Sequence, residues 1–237
     1  PFSPVIQRDR LGGIALIRTS ILYPEHFVSW KFNAPASYRD VAVFVSKAGP
    51  DSLELITYNL SDKPVSADMT LWNIIPGKWK IRQGGDRNED LKMDNGAVEK
   101  VEGLRQGESV SLQFAPGAYT LLSLTLVQKA DKGNDQLPDI GIGPSDVKRE
   151  GNKLIVRVHS LGTVDSPQSN LVVKDKAGKI LAKATVPAME APLDLLPRWK
   201  EVEINLPEGI LLSGGSVEVD PEHKIEQITR RNDWVKW

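Results

Sequence analysis

Val217-Glu-Val-Asp-Pro-Glu-His-Lys-Ile-Glu-Gln-Ile228 is the stretch on which the reading of the fold turns. Apolar and polar residues alternate into a turn signal at Asp220-Pro221, and a second alternating segment follows before the polar Arg230-Arg-Asn-Asp233. Period-two alternation on both sides of a proline-containing turn is the pattern of a hairpin with one buried face. The stretch ends a unit of about a hundred residues, Leu137 to Trp237, and predicts the last hairpin of an antiparallel β-sandwich.

Working outward, the same unit holds further strand-length segments at Lys153-Leu-Ile-Val-Arg-Val-His159, Asn170-Leu-Val-Val-Lys-Asp175, Lys179–Val186 and Lys200–Leu206. The first half alternates as strongly. Gly13–Thr19, His26–Phe32, Asp40–Ser46, Ser52–Tyr58, Val65–Trp72, Lys78–Arg82, Ser109–Phe114 and Tyr119–Leu126 are rich in β-branched and aromatic residues. Turn chemistry separates them: Tyr23-Pro24, Ala34-Pro35, Gly49-Pro50-Asp51, Pro76-Gly77, Asp94-Asn-Gly96 and Ala115-Pro-Gly117. No stretch has a helical period, and Pro192 and Pro197 limit Glu190–Trp199 to a turn. Gln128–Gln136 is polar and has no aliphatic residue larger than alanine, so it reads as a linker. The expected fold is therefore all-β, with two tandem antiparallel β-sandwiches: residues 1–127, a linker at 128–136, and residues 137–237.

Composition narrows the function classes. Lys plus Arg number 30 against 31 Asp plus Glu, a net charge of −1, so no global field favours nucleic acid. There is no cysteine, which removes disulfides, thiol catalysis and thiolate metal sites. No apolar run reaches the roughly 20 residues of a membrane-spanning helix. Pro1-Phe-Ser-Pro4 has neither a charged start nor an apolar core of a signal peptide, and the expectation is a chain that begins inside a longer gene product.

Candidate chemistry is sparse, and no residue is nominated as catalytic. His26, His159 and His223 form no metal-ligand pair. His159 lies near Ser160 and Asp165, but neighbours on a strand point to opposite faces, so it is poorly placed to serve Ser160. Asp86, Asn88 and Asp90 place oxygens at alternate positions, as a calcium loop does. Leu91 and Ala97 stand where an EF-hand needs Gly and Glu, which leaves only a non-EF calcium site at these three residues. No other cofactor is expected. Gly84-Gly85 and Gly214-Gly215 are turn glycines without phosphate-loop context.

Of the six tryptophans, Trp30 and Trp72 sit among apolar strand residues and read as core. Trp79 follows a Pro-Gly turn between Lys78 and Lys80, and is the best candidate for a partly exposed ring that stacks on a sugar, with the two lysines holding an acidic glycan. Packing in the core is the commoner fate of such a ring. Asn59-Leu60-Ser61 is a formal glycosylation sequon.

Two resemblances follow from these residues. Pro138-Asp-Ile140, Leu154-Ile-Val-Arg-Val-His-Ser-Leu-Gly162 and Asp220–Ile228 with Asn232 make residues 137–237 resemble the bacterial cell-adhesion-related domain, an immunoglobulin-like module, with Ser160 where that family usually has Asn. This implies an immunoglobulin- or fibronectin type III-like second sandwich. Val41–Ser46, Leu53–Pro64, Leu71-Trp72 and Ala115–Leu122 make residues 1–127 resemble the β-sandwich that follows the catalytic barrel in many glycoside hydrolases, where a strand ends at an Asn-containing turn and a late Pro-Gly opens the last hairpin.

Together these imply a non-catalytic C-terminal accessory region, a structural support or spacer, of a larger exported bacterial protein, expected to be a glycoside hydrolase that is secreted, periplasmic or on the cell surface. Its expected partner is an upstream catalytic domain of the same polypeptide. The alternative is a carbohydrate- or surface-binding adhesion module with polysaccharide as its ligand.

Overall fold

The computed structural model describes residues 3–14, 26–209 and 213–236. The strand expected over residues 13–19 lies outside them, apart from Gly13 and Ile14. The chain forms two compact units, Pro1–Asp131 and Lys132–Trp237.

The first unit opens with a helix that the sequence reading did not anticipate, α1 (Pro4–Leu11). Its signals are terminal, not periodic. The Ser3 Oγ accepts a hydrogen bond from the Val5 amide, Pro4 opens the helix, and Gly12 closes it at φ +67°. Eight residues are too few to display a period.

Eight strands follow: β1 (Val28–Phe32), β2 (Val41–Ala48), β3 (Ser52–Asn59), β4 (Val65–Leu71), β5 (Gly77–Asp86), β6 (Val98–Leu104), β7 (Ser109–Phe114) and β8 (Tyr119–Lys129). They make two antiparallel sheets, in the orders β1-β4-β7 and β2-β3-β8-β5-β6. Every second residue of β4 is buried, Val65, Ala67, Met69 and Leu71, and likewise Leu53 and Leu55 of β3 and Val110, Leu112 and Phe114 of β7. These side chains join those of both sheets in one core, so alternation in sequence has become the inward face of a sandwich.

The second unit has β9 (Ile140–Gly141), β10 (Val147–Glu150), β11 (Lys153–Ser160), β12 (Ser169–Lys174), β13 (Ile180–Val186), β14 (Arg198–Asn205), β15 (Ser216–Val219) and β16 (Trp234–Lys236). One sheet runs β10-β11-β14 with β9 pairing one end of β11; the other runs β13-β12-β15-β16. All pairings are antiparallel. A second core lies between them, built on Leu154, Val156, Val158, Leu171, Val173, Val217 and Val219. The molecule is all-β in class, as the alternation implied.

Two boundaries differ from the sequence reading. Gln128 and Lys129, expected in the linker, extend β8 and pair with Lys78 and Gly77, while Asn134–Gln136 forms a single 3-10 turn. The segment Lys224–Ile228, expected as the last strand, is a loop, and the closing strand is Trp234–Lys236. The cause is local. Both Asp220 carboxylate oxygens accept backbone N–H groups, from Lys224 and Ile225 at 3.0 Å each. Asp220 and His223 take positive φ, 45° and 53°. Side chain to backbone bonds have replaced the strand ladder there.

Candidate functional site

A cleft of about 690 Å³ lies within the first unit, between the end of β5 with its loop to β6 and the β7–β8 turn. Its aromatic element is Tyr58 on β3 and Tyr119 on β8. They face each other in the antiparallel register, with ring centroids 4.8 Å apart and planes at 64°. Both rings are half-buried. Gln83, Gly84 and Gly85 of β5, the strand paired with β8, and Arg87 and Glu89 of the loop after it line the cleft beside the tyrosines.

Buried and half-buried polar residues hold both sides. Asp86, only 3% exposed, accepts the Asp90 amide on Oδ1 at 3.1 Å and the Leu91 amide on Oδ2 at 2.9 Å. Asp94 accepts the Arg87 amide at 3.1 Å and donates its own amide to the Gly85 carbonyl at 2.8 Å. The loop turns through positive φ at Glu89 and Leu91 to allow this. On the other side, Asn59 is fully buried at the end of β3. Its Nδ2 donates to the carbonyls of Lys63 at 2.8 Å and Phe114 at 3.2 Å, and its Oδ1 accepts from the Ser61 amide at 3.0 Å. That role explains the sequon-like Asn59-Leu60-Ser61: the amide nitrogen is a buried hydrogen-bond donor.

At the residues named for calcium, Asp86, Asn88 and Asp90, the two carboxylates already have partners. Asp86 directs its oxygens at backbone amides, and Asp90 accepts the Lys92 amide at 2.9 Å with the Lys92 ammonium 3.9 Å from its other oxygen. Asp86 and Asp90 thus hold the loop through its backbone amides. Among the described residues, no three His, Cys, Asp or Glu side chains gather as a metal ion requires.

The expectation for Trp79 is corrected. Its ring is fully buried in the first core, and its Nε1 donates to the Ile75 carbonyl at 3.0 Å. Lys78 and Lys80 point away from the core, and Lys80 pairs with Glu99 at 3.4 Å. The alternation Lys78-Trp-Lys-Ile-Arg82 carried the answer, since it puts Trp79 and Ile81 on the face opposite the lysines. Trp79→Phe is expected to cost about 1–2 kcal/mol in urea denaturation, from the lost hydrogen bond and the lost volume. A cost near zero would mean that the ring is not packed.

In the second unit His159 is partnered by a residue that the sequence reading did not consider. Its Nε2 lies 3.0 Å from Asp146 Oδ1. Partial burial raises the Asp146 pKa, but the His159 hydrogen bond and the Gly143 amide outweigh it, and the net shift is downward. Ser160 points into the core from the opposite face of β11 and is 2% exposed. Trp199, one of the six tryptophans, is not buried in a core. It is 45% exposed, and the Arg157 guanidinium lies 4.4 Å from its ring centroid, from the neighbouring strand. His159 and Trp199 are directly opposed in that register, but pairing between β11 and β14 was not readable from the sequence.

A polar network closes the second unit. Arg230 Nη1 donates to Asp220 at 3.2 Å and to Asp233 at 3.1 Å. Gln227 donates to Asp233 at 3.1 Å and accepts the Ile140 amide at 2.7 Å. Asn232 donates to Asp139 at 3.4 Å.

No family model and no curated protein matches the chain. Among solved structures, it is similar to a β-glucuronidase from Ruminococcus gnavus in complex with an N1-substituted uronic isofagomine. The identity is 8% and the TM-score 0.22, over 67% of this chain and 34% of that one. The same enzyme in complex with D-glucaro-d-lactam gives 10% identity and a TM-score of 0.23, over 67% and 33%. The chain thus spans about a third of the length of the structures it matches. A likeness this slight transfers no function.

Proposed function

We propose that the chain is a non-catalytic accessory region of a larger exported bacterial protein, a carbohydrate-active enzyme, to which it contributes support or spacing. The observation that carries this reading is the use made of the acids. Asp86 and Asp220 each clamp a loop by accepting the amides four and five residues ahead, and Asp233 is shared between Arg230 and Gln227. Buried carboxylates of this kind position backbone, whereas a general acid or base needs an oxygen facing a substrate. The second unit's two antiparallel sheets, β10-β11-β14 with the short β9 beside β11 and β13-β12-β15-β16, support the immunoglobulin- or fibronectin type III-like reading. The glycoside hydrolase parent rests on the resemblance of residues 1–127.

The test is a turnover screen of the 237-residue chain with aryl glycosides and polysaccharides. No turnover is expected. Activity that survives purification and disappears on one carboxylate substitution would overturn the reading.

A further inference from the structure

We propose that the cleft beside Tyr58 and Tyr119 is a glycan-binding site, in which a pyranose ring packs on the tyrosine pair and its hydroxyls meet the wall carrying Gln83 and Arg87. This goes beyond the accessory role, which requires no ligand.

The size fits. A volume of about 690 Å³ lies within the roughly 300–1,000 Å³ typical of small-molecule sites. The chemistry fits a ligand that is apolar on its ring face and polar at its rim. Both tyrosines of the edge-to-face pair line the cleft and are half-buried, and each adds a hydroxyl at its tip. The Gln83 amide nitrogen donates to the Gln113 carbonyl, which fixes the side chain and leaves its oxygen as an acceptor. Arg87 has no ion-pair partner among the described residues, and supplies donors at the cleft wall. Glu89 on the same loop offsets its charge, which argues against a polyphosphate and for a ligand of low charge.

The walls are also fixed before any ligand arrives. Asp86 and Asp94 hold the loop that bears Arg87 and Glu89, and Asn59 ties the turn after β3 to the Phe114 carbonyl beside the β7–β8 turn. Buried and half-buried side chains that hold two sides of one cleft reduce the ordering that binding would otherwise require.

The test is calorimetric titration of the whole chain with a neutral β-glucan hexasaccharide and with an oligogalacturonide, beside a panel of immobilised plant, bacterial and animal glycans. Saturable binding with a Kd of about 1 mM or tighter is expected from at least one glycan. Tyr58→Ala and Tyr119→Ala should each weaken it about fivefold to tenfold, the range an aromatic contact supports. Arg87→Ala lies on an exposed loop and keeps the test decisive should a tyrosine variant fail to fold; it too should weaken binding. A stronger loss for the oligogalacturonide marks an acidic glycan, and equal loss marks a neutral one. The proposal is overturned if no glycan saturates by about 10 mM, or if folded variants at all three positions bind like the parent. Binding is read without turnover, so the accessory role stands or falls separately.

Discussion

Gly162→Ala is expected to destabilise the second unit by about 3 kcal/mol or more, among the larger effects of any single methyl group. A Cβ at Gly162 would lie 2.3 Å from the Asp139 amide nitrogen, 2.5 Å from the Pro138 carbonyl carbon and 2.6 Å from the Pro138 Cα. All three are backbone atoms, so no rotamer change relieves the collision. The segment cannot retreat freely either. The Leu161 amide donates to the Asp139 carbonyl at 2.7 Å, the Thr163 amide to Leu137 at 3.1 Å, and the Ile228 amide to Pro138 at 3.1 Å. Leu137 is fully buried beside them. Shifting the entry segment would therefore break hydrogen bonds on two sides and withdraw a core leucine. Urea denaturation followed by tryptophan fluorescence reads the loss. Gly103→Ala is the control: nothing lies within 4 Å of its added Cβ, and its cost should stay within about 0.5 kcal/mol. If Gly162→Ala unfolds at the parent midpoint, the close approach is not what holds the glycine there.

The strands were legible where one face is buried and the other wet. Val65-Ser-Ala-Asp-Met-Thr-Leu71 and Lys153-Leu-Ile-Val-Arg-Val-His-Ser160 alternate in sequence and in burial alike. β6 was missed because it is an edge strand. Val98, Glu99, Lys100 and Val101 are all exposed, so burial imposes no pattern on them. The Lys224–Ile228 loop misled for the opposite reason. It alternates, with Ile225 and Gln227 buried, yet its backbone is held by the Asp220 side chain, and Gln227 is buried as a hydrogen-bonding group. Alternation reports burial and does not report which partner the backbone has. The candidate site was less legible still. Tyr58 and Tyr119 are 61 positions apart, and only the β3–β8 register makes them neighbours. Asp86 is read from the sequence as a calcium ligand, because a carboxylate that binds cations and one that binds amides have the same sequence signature; its hydrogen bonds to the Asp90 and Leu91 amides become visible only in the structure.

Stability of the second unit is expected to fall as pH rises from about 4 to about 7. Asp139, 6% exposed, and Asp233, 3% exposed, sit in the polar network beside β9. Burial pushes both pKa values up, each to about 6, with Asn232 and the Thr229 backbone opposing the shift at Asp139, and Arg230 and Gln227 opposing it at Asp233. The charge on Asp233 raises Asp139 further, and that on Asp220 raises Asp233. In the unfolded chain both carboxyls titrate near their ordinary value of 3.8. Between that value and about 6 the folded state binds more protons than the unfolded one. The stabilisation is complete below the lower value and is lost as pH rises through the upper one. For Asp139 the shift corresponds to about 3 kcal/mol at full strength, and solvent screening reduces this to about 2 kcal/mol. Asp139 is the better target, because Arg230 contacts Asp220 and Asp233 but not Asp139, and one Asp139 oxygen has no hydrogen-bond partner. Asp139→Asn keeps the shape and removes the titration. It should raise stability at pH 8 by about 2 kcal/mol and flatten the decline between about pH 4 and 7, while leaving stability near pH 4 almost unchanged. Denaturant midpoints of the parent and the variant at these pH values decide it. A parent whose stability rises across this interval, or a variant with the parent's slope, would show that Asp139 is held ionised in the fold and that Asn232 with the surrounding amides suffices to solvate the charge.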